Sequence, residues 1–262
     1  MLYFAYGKTQ HDECDLNEIC FLPGESITYI VSYNWFIVFT DVGEVNFRVT
    51  ETNQNHNPLL HLQGYGYTYK NWDLFFKVRD KYESWVEPHT LKPVFYKRDV
   101  YEGGFKIDIN YRYRRPQNLA YSYSKANDDP AQFDTVEITD CTFDIVSIIY
   151  YMRSIEMAGI EKNDTIPLTI LLDREIYRLY VRYLGKEEKK VKNVGKFKCL
   201  KFSASVVKGT VFKGGETLKL WVTDDKNRIP VYVESPIIIG NIKVKIKSWN
   251  NLKYHLNGFS ID

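Results

Sequence analysis

The chain has 262 residues, 44% hydrophobic and 26% charged, with 35 Lys and Arg set against 33 Asp and Glu. That is the composition of a folded globular protein, and a chain of this length buries about three-quarters of its surface, enough for a core without staples. The net charge of +2 argues against a nucleic-acid binder, and no apolar run reaches the length of about 18 residues that a membrane-spanning helix needs.

Residues 1–20 read as a tail and 21–262 as a single antiparallel β domain. The opening from Met1 to Gly7 is apolar but short and has no basic start, so it does not match a secretory signal. The expectation is that the protein stays inside, or that a presequence has been removed or lies upstream. Cys14 and Cys20 are close in a polar stretch and can pair in an oxidising compartment. Cys141 and Cys199 sit among apolar residues and read as buried free thiols. No Cys and His spacing forms a zinc site.

From Phe21 onward the pattern has period two, the signal of half-buried strands. After Pro23-Gly24, Val45, Phe47 and Val49 alternate with Asn46, Arg48 and Thr50. Ile107, Ile109, Tyr111 and Tyr113 alternate with Asp108, Asn110, Arg112 and Arg114, and Ile242, Val244 and Ile246 alternate with lysines. Gly103-Gly104 and Gly214-Gly215 mark hairpin turns. Residues 87–92 and 223–228 are polar turns, each followed by a proline. Residues 116–134 read as a long exposed hairpin or loop, and 186–196 as a charged connection between strands. Around 142–157 the period changes: Ile145, Ile148, Ile149 and Met152 form a helical stripe, with Asp140 and Thr142 placed to cap its start and Gly159 its end.

Trp85-Val86 followed by a polar turn and Pro93 parallels Trp221-Val222 followed by a polar turn and Pro230. Residues 29–33 and 42–44 likewise parallel 179–183 and 194–196. Internal duplication of a four-strand meander and convergent hairpin chemistry both account for this. About a dozen strands do not make one flat sheet. Residues 33–39 and 236–240 are apolar on both faces and need cover on both sides. The fold class expected is therefore all-β: a strongly curved antiparallel sheet, a closed or half-closed barrel, with the one helix packed against it.

Certain stretches are familiar. Phe21-Leu-Pro-Gly-Glu-Ser-Ile-Thr-Tyr29, Tyr33-Asn-Trp35, Gly43-Glu44, residues 75–85, Arg98-Asp-Val-Tyr-Glu-Gly-Gly104, Cys141-Thr-Phe-Asp144, and Phe212-Lys-Gly-Gly-Glu216 running into Trp221 resemble one exported bacterial family. It is the family numbered 3108 among the domains of unknown function, and the resemblance covers about residues 21–250. It implies a YmcC-like, barrel-like sheet in a Gram-negative envelope protein, exported to the periplasm or associated with the outer membrane. It brings no activity and no functional residues.

The sequence holds no nucleophile elbow, no metalloprotease helix motif and no phosphate-cradling glycine loop. Cys141 opens a helix but has no evident base beside it. Asp80 with Glu83, or Asp99 with Glu102, have the density of a glycosidase carboxylate pair, although ion pairing with Arg79 and Arg98 explains them as well. No catalytic residue, metal site or cofactor is expected. The candidate ligand residues are aromatic. Tyr65, Tyr67 and Tyr69 share a strand face, Trp72 follows, and Trp35 lies in a two-faced apolar segment. They suit stacking on a sugar or an apolar groove, and equally a cross-strand aromatic ladder. The leading expectation is a non-enzymatic envelope protein binding an apolar or amphiphilic ligand, a lipid or lipid-linked glycan. The alternatives are an interaction or scaffold protein of a surface-polysaccharide system, with an envelope protein partner, and a carboxylate-pair glycoside hydrolase.

Overall fold

The computed structural model describes residues 14–35, 38–54, 57–206, 215–237 and 240–261. A first run of strands forms a continuous antiparallel meander: β1 (Ser26–Trp35), β2 (Val38–Gln54), β3 (Asn57–Thr68), β4 (Val78–Val86), β5 (Pro93–Glu102), β6 (Phe105–Arg114), β7 (Leu119–Ala126) and β8 (Gln132–Glu137). The short β9 (Thr142–Phe143) and the helix α1 (Ser147–Ser154) follow. A second run then makes β10 (Thr165–Leu172), β11 (Glu175–Val191), β12 (Gly195–Val206), β13 (Gly215–Thr223), β14 (Pro230–Pro236) and β15 (Asn241–Asn250), and β16 (Phe259–Ser260) pairs with β12.

The two runs fuse at their ends. β1 pairs with β15, Val31 opposite Val244 and Ile27 opposite Trp249. The meander thus starts in the middle of the sheet, runs out to β8, crosses through α1 to the far edge at β9, and returns to the middle. Every ladder is antiparallel except β9 on β10.

The sheet curls but is not closed by backbone hydrogen bonds, since no ladder joins β8 to β9 among the described residues. Side chains bridge the gap instead. Near one end Arg98 meets Asp173 at 2.9 Å, Arg174 meets Gln132 at 2.5 Å and the Tyr111 hydroxyl accepts from the Arg174 amide. Near the other end the Arg115 guanidinium donates to the carbonyls of Pro93, Asp140 and Thr142. Of the two closures the sequence leaves open, this is the half-closed one.

The helix occupies the inside of the curve. Val146 and Tyr150 pack with Leu62, Tyr96, Tyr111 and Tyr113 of the first run, and Met152 packs against Val181, Phe202 and Val222 of the second. It is shorter than the expected 142–157. Thr142 is drawn into β9, and Ile155 is already extended at φ −67° and ψ 150°. The cap is also different: Asp144, not Asp140 or Thr142, accepts the amides of Val146 and Ser147, both at 2.9 Å, while the Ser147 hydroxyl accepts the Asp144 amide. Asp140 instead holds Lys92.

Several local expectations take a definite form. Gly103 and Gly104 turn β5 into β6 at φ +57° and +101°, a conformation that glycine adopts without strain. Gly214 lies outside the described residues. Residues 116–134 are a hairpin, mostly β7 and β8, entered through a single 3-10 turn. The charged stretch 186–196 is a correction: Lys186 to Val191 are paired strand in β11, and only 192–194 turn. Its charges are tied to neighbouring strands, with Glu187 held by Lys201 at 2.7 Å and Lys189 over the Trp221 ring. The hairpins at Trp85 and Trp221 share the same device, a register shift directly after the tryptophan.

The cysteines pair differently from the expectation. Cys14 is joined to Cys141, 127 residues away, with their Cα atoms 5.6 Å apart. Cys20 is a buried free thiol whose amide donates to Ser154, and Cys199 is the other buried free thiol. The tail segment 14–20 has no strand or helix, yet the disulfide and the burial of Cys20 hold it against the domain.

Candidate ligand cavity

Alternation along the strands sends one set of side chains toward α1. On β1 these are Ile27 and Tyr29, and on β2 Val45 and Phe47. From the second run come Val181, Phe202, Leu220, Val222, Val233 and Val244. The stripe of α1 does not fill the space between these walls. Ile149 and Met152, with Met157 just beyond, border a cavity of about 430 Å³.

The lining is almost wholly hydrocarbon. Its polar members are Tyr29, Tyr150, Arg153 and Arg228. Burial raises the phenols of Tyr29 and Tyr150 far above the ordinary tyrosine range, so both stay neutral. Arg153 is committed elsewhere: its guanidinium forks onto Glu25 at 2.6 and 2.9 Å, donates to the Asn227 carbonyl, and lies against the rings of Phe21 and Tyr150. Arg228 is less enclosed. It donates to the carbonyls of Arg153 and Ile155 and faces the Glu156 carboxylate only at 3.9 Å. It is the one cavity cation with room to meet an acidic or polar head group.

Among the lining residues there is no nucleophile paired with a base and no pair of carboxylates. Among the described residues no group of three or more His, Cys, Asp or Glu is placed to hold a metal ion. What this arrangement can do chemically is exclude water from an apolar guest. An apolar cavity of ~150 Å³ already stays dry and takes up benzene, and small-molecule sites span roughly 300–1,000 Å³.

The sequence model of a family described as a protein of unknown function, DUF3108, matches residues 28–247. The chain belongs to that family. No curated protein matches it. Among solved structures, the DUF3108 chain is similar to a β-barrel-like protein from Brucella abortus, itself a domain of unknown function, DUF1849. The TM-score is 0.58 at 7% identity, covering 90% of this chain and 100% of that one. At that identity the likeness is one of fold. It also matches a putative exported protein with a YmcC-like fold from Bacteroides fragilis, at a TM-score of 0.33 and 10% identity over 89% of this chain and 100% of that one.

Tyr65, Tyr67 and Tyr69, singled out from the sequence, lie on the other face of the DUF3108 sheet. Gly64 and Gly66 point inward, opposite Phe47 and Val45, so Tyr65 and Tyr67 point outward. Tyr65 stacks on Tyr67 with ring centroids 5.6 Å apart, and Tyr67 meets Tyr69 edge-on at 6.5 Å. The hydroxyls of Tyr67 and Tyr69 both donate to Glu44, which Lys247 also holds at 2.6 Å. Trp72 packs on Phe75 in the β3–β4 turn. The backbone of Trp35 ends β1, and its side chain lies outside the described residues. None of Tyr65, Tyr67, Tyr69 and Trp72 lines the cavity.

The carboxylates also regroup. Asp80 and Glu83 face opposite sides of β4. Glu83 points outward to His61, Gln63 and Lys81. Asp80 points inward, accepts the Tyr101 amide, and shares a proton-binding site with Glu102 across the β4–β5 ladder. Burial first, and Glu102 second, push the Asp80 carboxyl up to about 7. Sequence reasoning missed the cavity because its lining comes from nine separate elements. The available signal was the repeated inward set of Val and Leu on the second run.

Proposed function

We propose that this DUF3108 protein is a non-enzymatic envelope protein that holds an apolar or amphiphilic molecule, a lipid or lipid-linked glycan, in the cavity between α1 and the strands of both runs. The observation that carries this reading is the hydrocarbon lining of a 430 Å³ space large enough for an acyl chain or a compact ring system. Arg228 at its border suits an acidic or polar head, while the chain lies against Val181, Phe202 and Val222. The outer tyrosine ladder, held by Glu44, then serves to stiffen the sheet.

The test is native mass spectrometry of protein purified without detergent, before and after organic extraction. A discrete extra mass that extraction removes supports the reading. A bare chain that also fails to take up any added fatty acid counts against it.

One observation favours a second reading, an interaction protein of a surface-polysaccharide system. β8 is an edge strand, and Phe133 on it is 78% exposed. If that edge captures an envelope protein partner, Phe133→Ser abolishes capture without lowering thermal stability.

A further inference from the structure

The β3–β4 and β5–β6 turns lie side by side at one end of the sheet, joined by the Gly103 amide donating to the Lys77 carbonyl at 2.9 Å. Phe76 rests on Gly103 so closely that a Cβ there would sit 2.4 Å from its ring. Beyond this contact the chain presents Leu74 and Phe75, 88% and 81% exposed, with Phe76 and Phe105 also exposed beside them. Such side chains at the apex of a turn are an unusual thing to leave in water.

The apex is built rigidly. Asp73 takes both prongs of Arg79, at 3.0 and 2.6 Å, and the Thr68 hydroxyl at 2.6 Å. The amides of Trp72 and Asp73 donate to the Tyr69 carbonyl, and those of Phe75 and Phe76 to the Trp72 carbonyl. Asp73 is thereby neutralised, and the apolar tip is held out in a fixed shape. Behind it stand exposed Lys70, Lys77 and Lys106, the last two placed over the Tyr101 ring at 5.6 and 5.9 Å.

We propose that this end of the protein docks on an anionic lipid bilayer, Leu74 and Phe75 entering the acyl region and Lys70, Lys77 and Lys106 meeting the head groups. An apolar tip, an aromatic collar and lysines behind it reproduce the order of layers at a membrane surface. A second copy of this chain is a poor occupant, because it would bring three lysines against three. An anionic bilayer supplies both the apolar layer and the opposite charge.

The contact is independent of the cavity, so the two proposals fail separately. The experiment is sedimentation of the full chain with vesicles of pure phosphatidylcholine and with vesicles partly of phosphatidylglycerol. The parent protein pellets with the phosphatidylglycerol vesicles. The Leu74→Ser/Phe75→Ser double variant loses about tenfold or more in vesicle affinity. Lys70→Glu/Lys77→Glu loses about tenfold on the anionic vesicles alone. Both variants keep the parental melting temperature, since the altered side chains are exposed. A parent that does not pellet with anionic vesicles, or two double variants that pellet as well as the parent, overturns the proposal.

Discussion

Arg153 on α1 and Glu25 at the threshold of β1 form a two-pronged ion pair that is almost fully removed from water, with the arginine clasped between Phe21 and Tyr150. It fixes the end of the helix to the seam where the two strand runs fuse, and so sets one border of the cavity.

Removing one partner of that pair leaves the other charge buried and uncompensated. Glu25→Ala is expected to cost about 3–5 kcal/mol of stability, and the apolar double replacement Glu25→Met/Arg153→Met less than the single. Urea unfolding of the three proteins checks the order; a double variant weaker than the single contradicts it.

The Cys14–Cys141 disulfide closes a loop of 127 residues. Cys14→Ser/Cys141→Ser should lose about 2–4 kcal/mol, mainly by enlarging the freedom of the unfolded chain. Alkylation of the denatured, unreduced protein should label Cys20 and Cys199 and spare the other two. Labelling of Cys14 shows the assignment to be wrong.

Two buried carboxyls make stability depend on pH in an unusual direction. Burial pushes Asp144 up to about 6, and burial with the neighbouring Glu102 pushes Asp80 up to about 7. The folded state then holds protons that the unfolded state has released at its ordinary carboxylate range. Stability contributed by these groups is present at about pH 4 and lost as pH rises through 6 and 7. Melting temperatures across that range are expected to fall relative to an Asp80→Asn variant, which should show a shallower decline. Identical pH profiles for the two proteins exclude Asp80 as a cause.

How much of this was legible in the sequence depended on the range of the interaction. The strand over Phe105–Arg114 was readable because alternation is local, and Ile109, Tyr111 and Tyr113 are indeed the buried face. Asp144 was not distinguished as the cap because Asp140 and Thr142 have the same capping chemistry; what removes them is long-range, the pairing of Thr142 with β10 and the hold of Lys92 on Asp140. The link from Cys14 to Cys141, the meeting of Asp80 with Glu102, and the cavity itself depend on which strands lie side by side. Neither period nor propensity encodes that order. The outer tyrosines attracted attention for a sound reason, a shared face, but alternation alone does not say which face turns toward the helix.

The central claim is the cavity, and the most direct measurement is titration of the extracted protein with a fluorescent fatty-acid probe, alongside a Val181→Phe/Val244→Phe variant that fills the space from β11 and β15. The account predicts saturable binding of one probe per parent chain, displaced by unlabelled fatty acid and lost in the filled variant, which still melts cooperatively. Equal binding by the two proteins, or none by the parent, would contradict it.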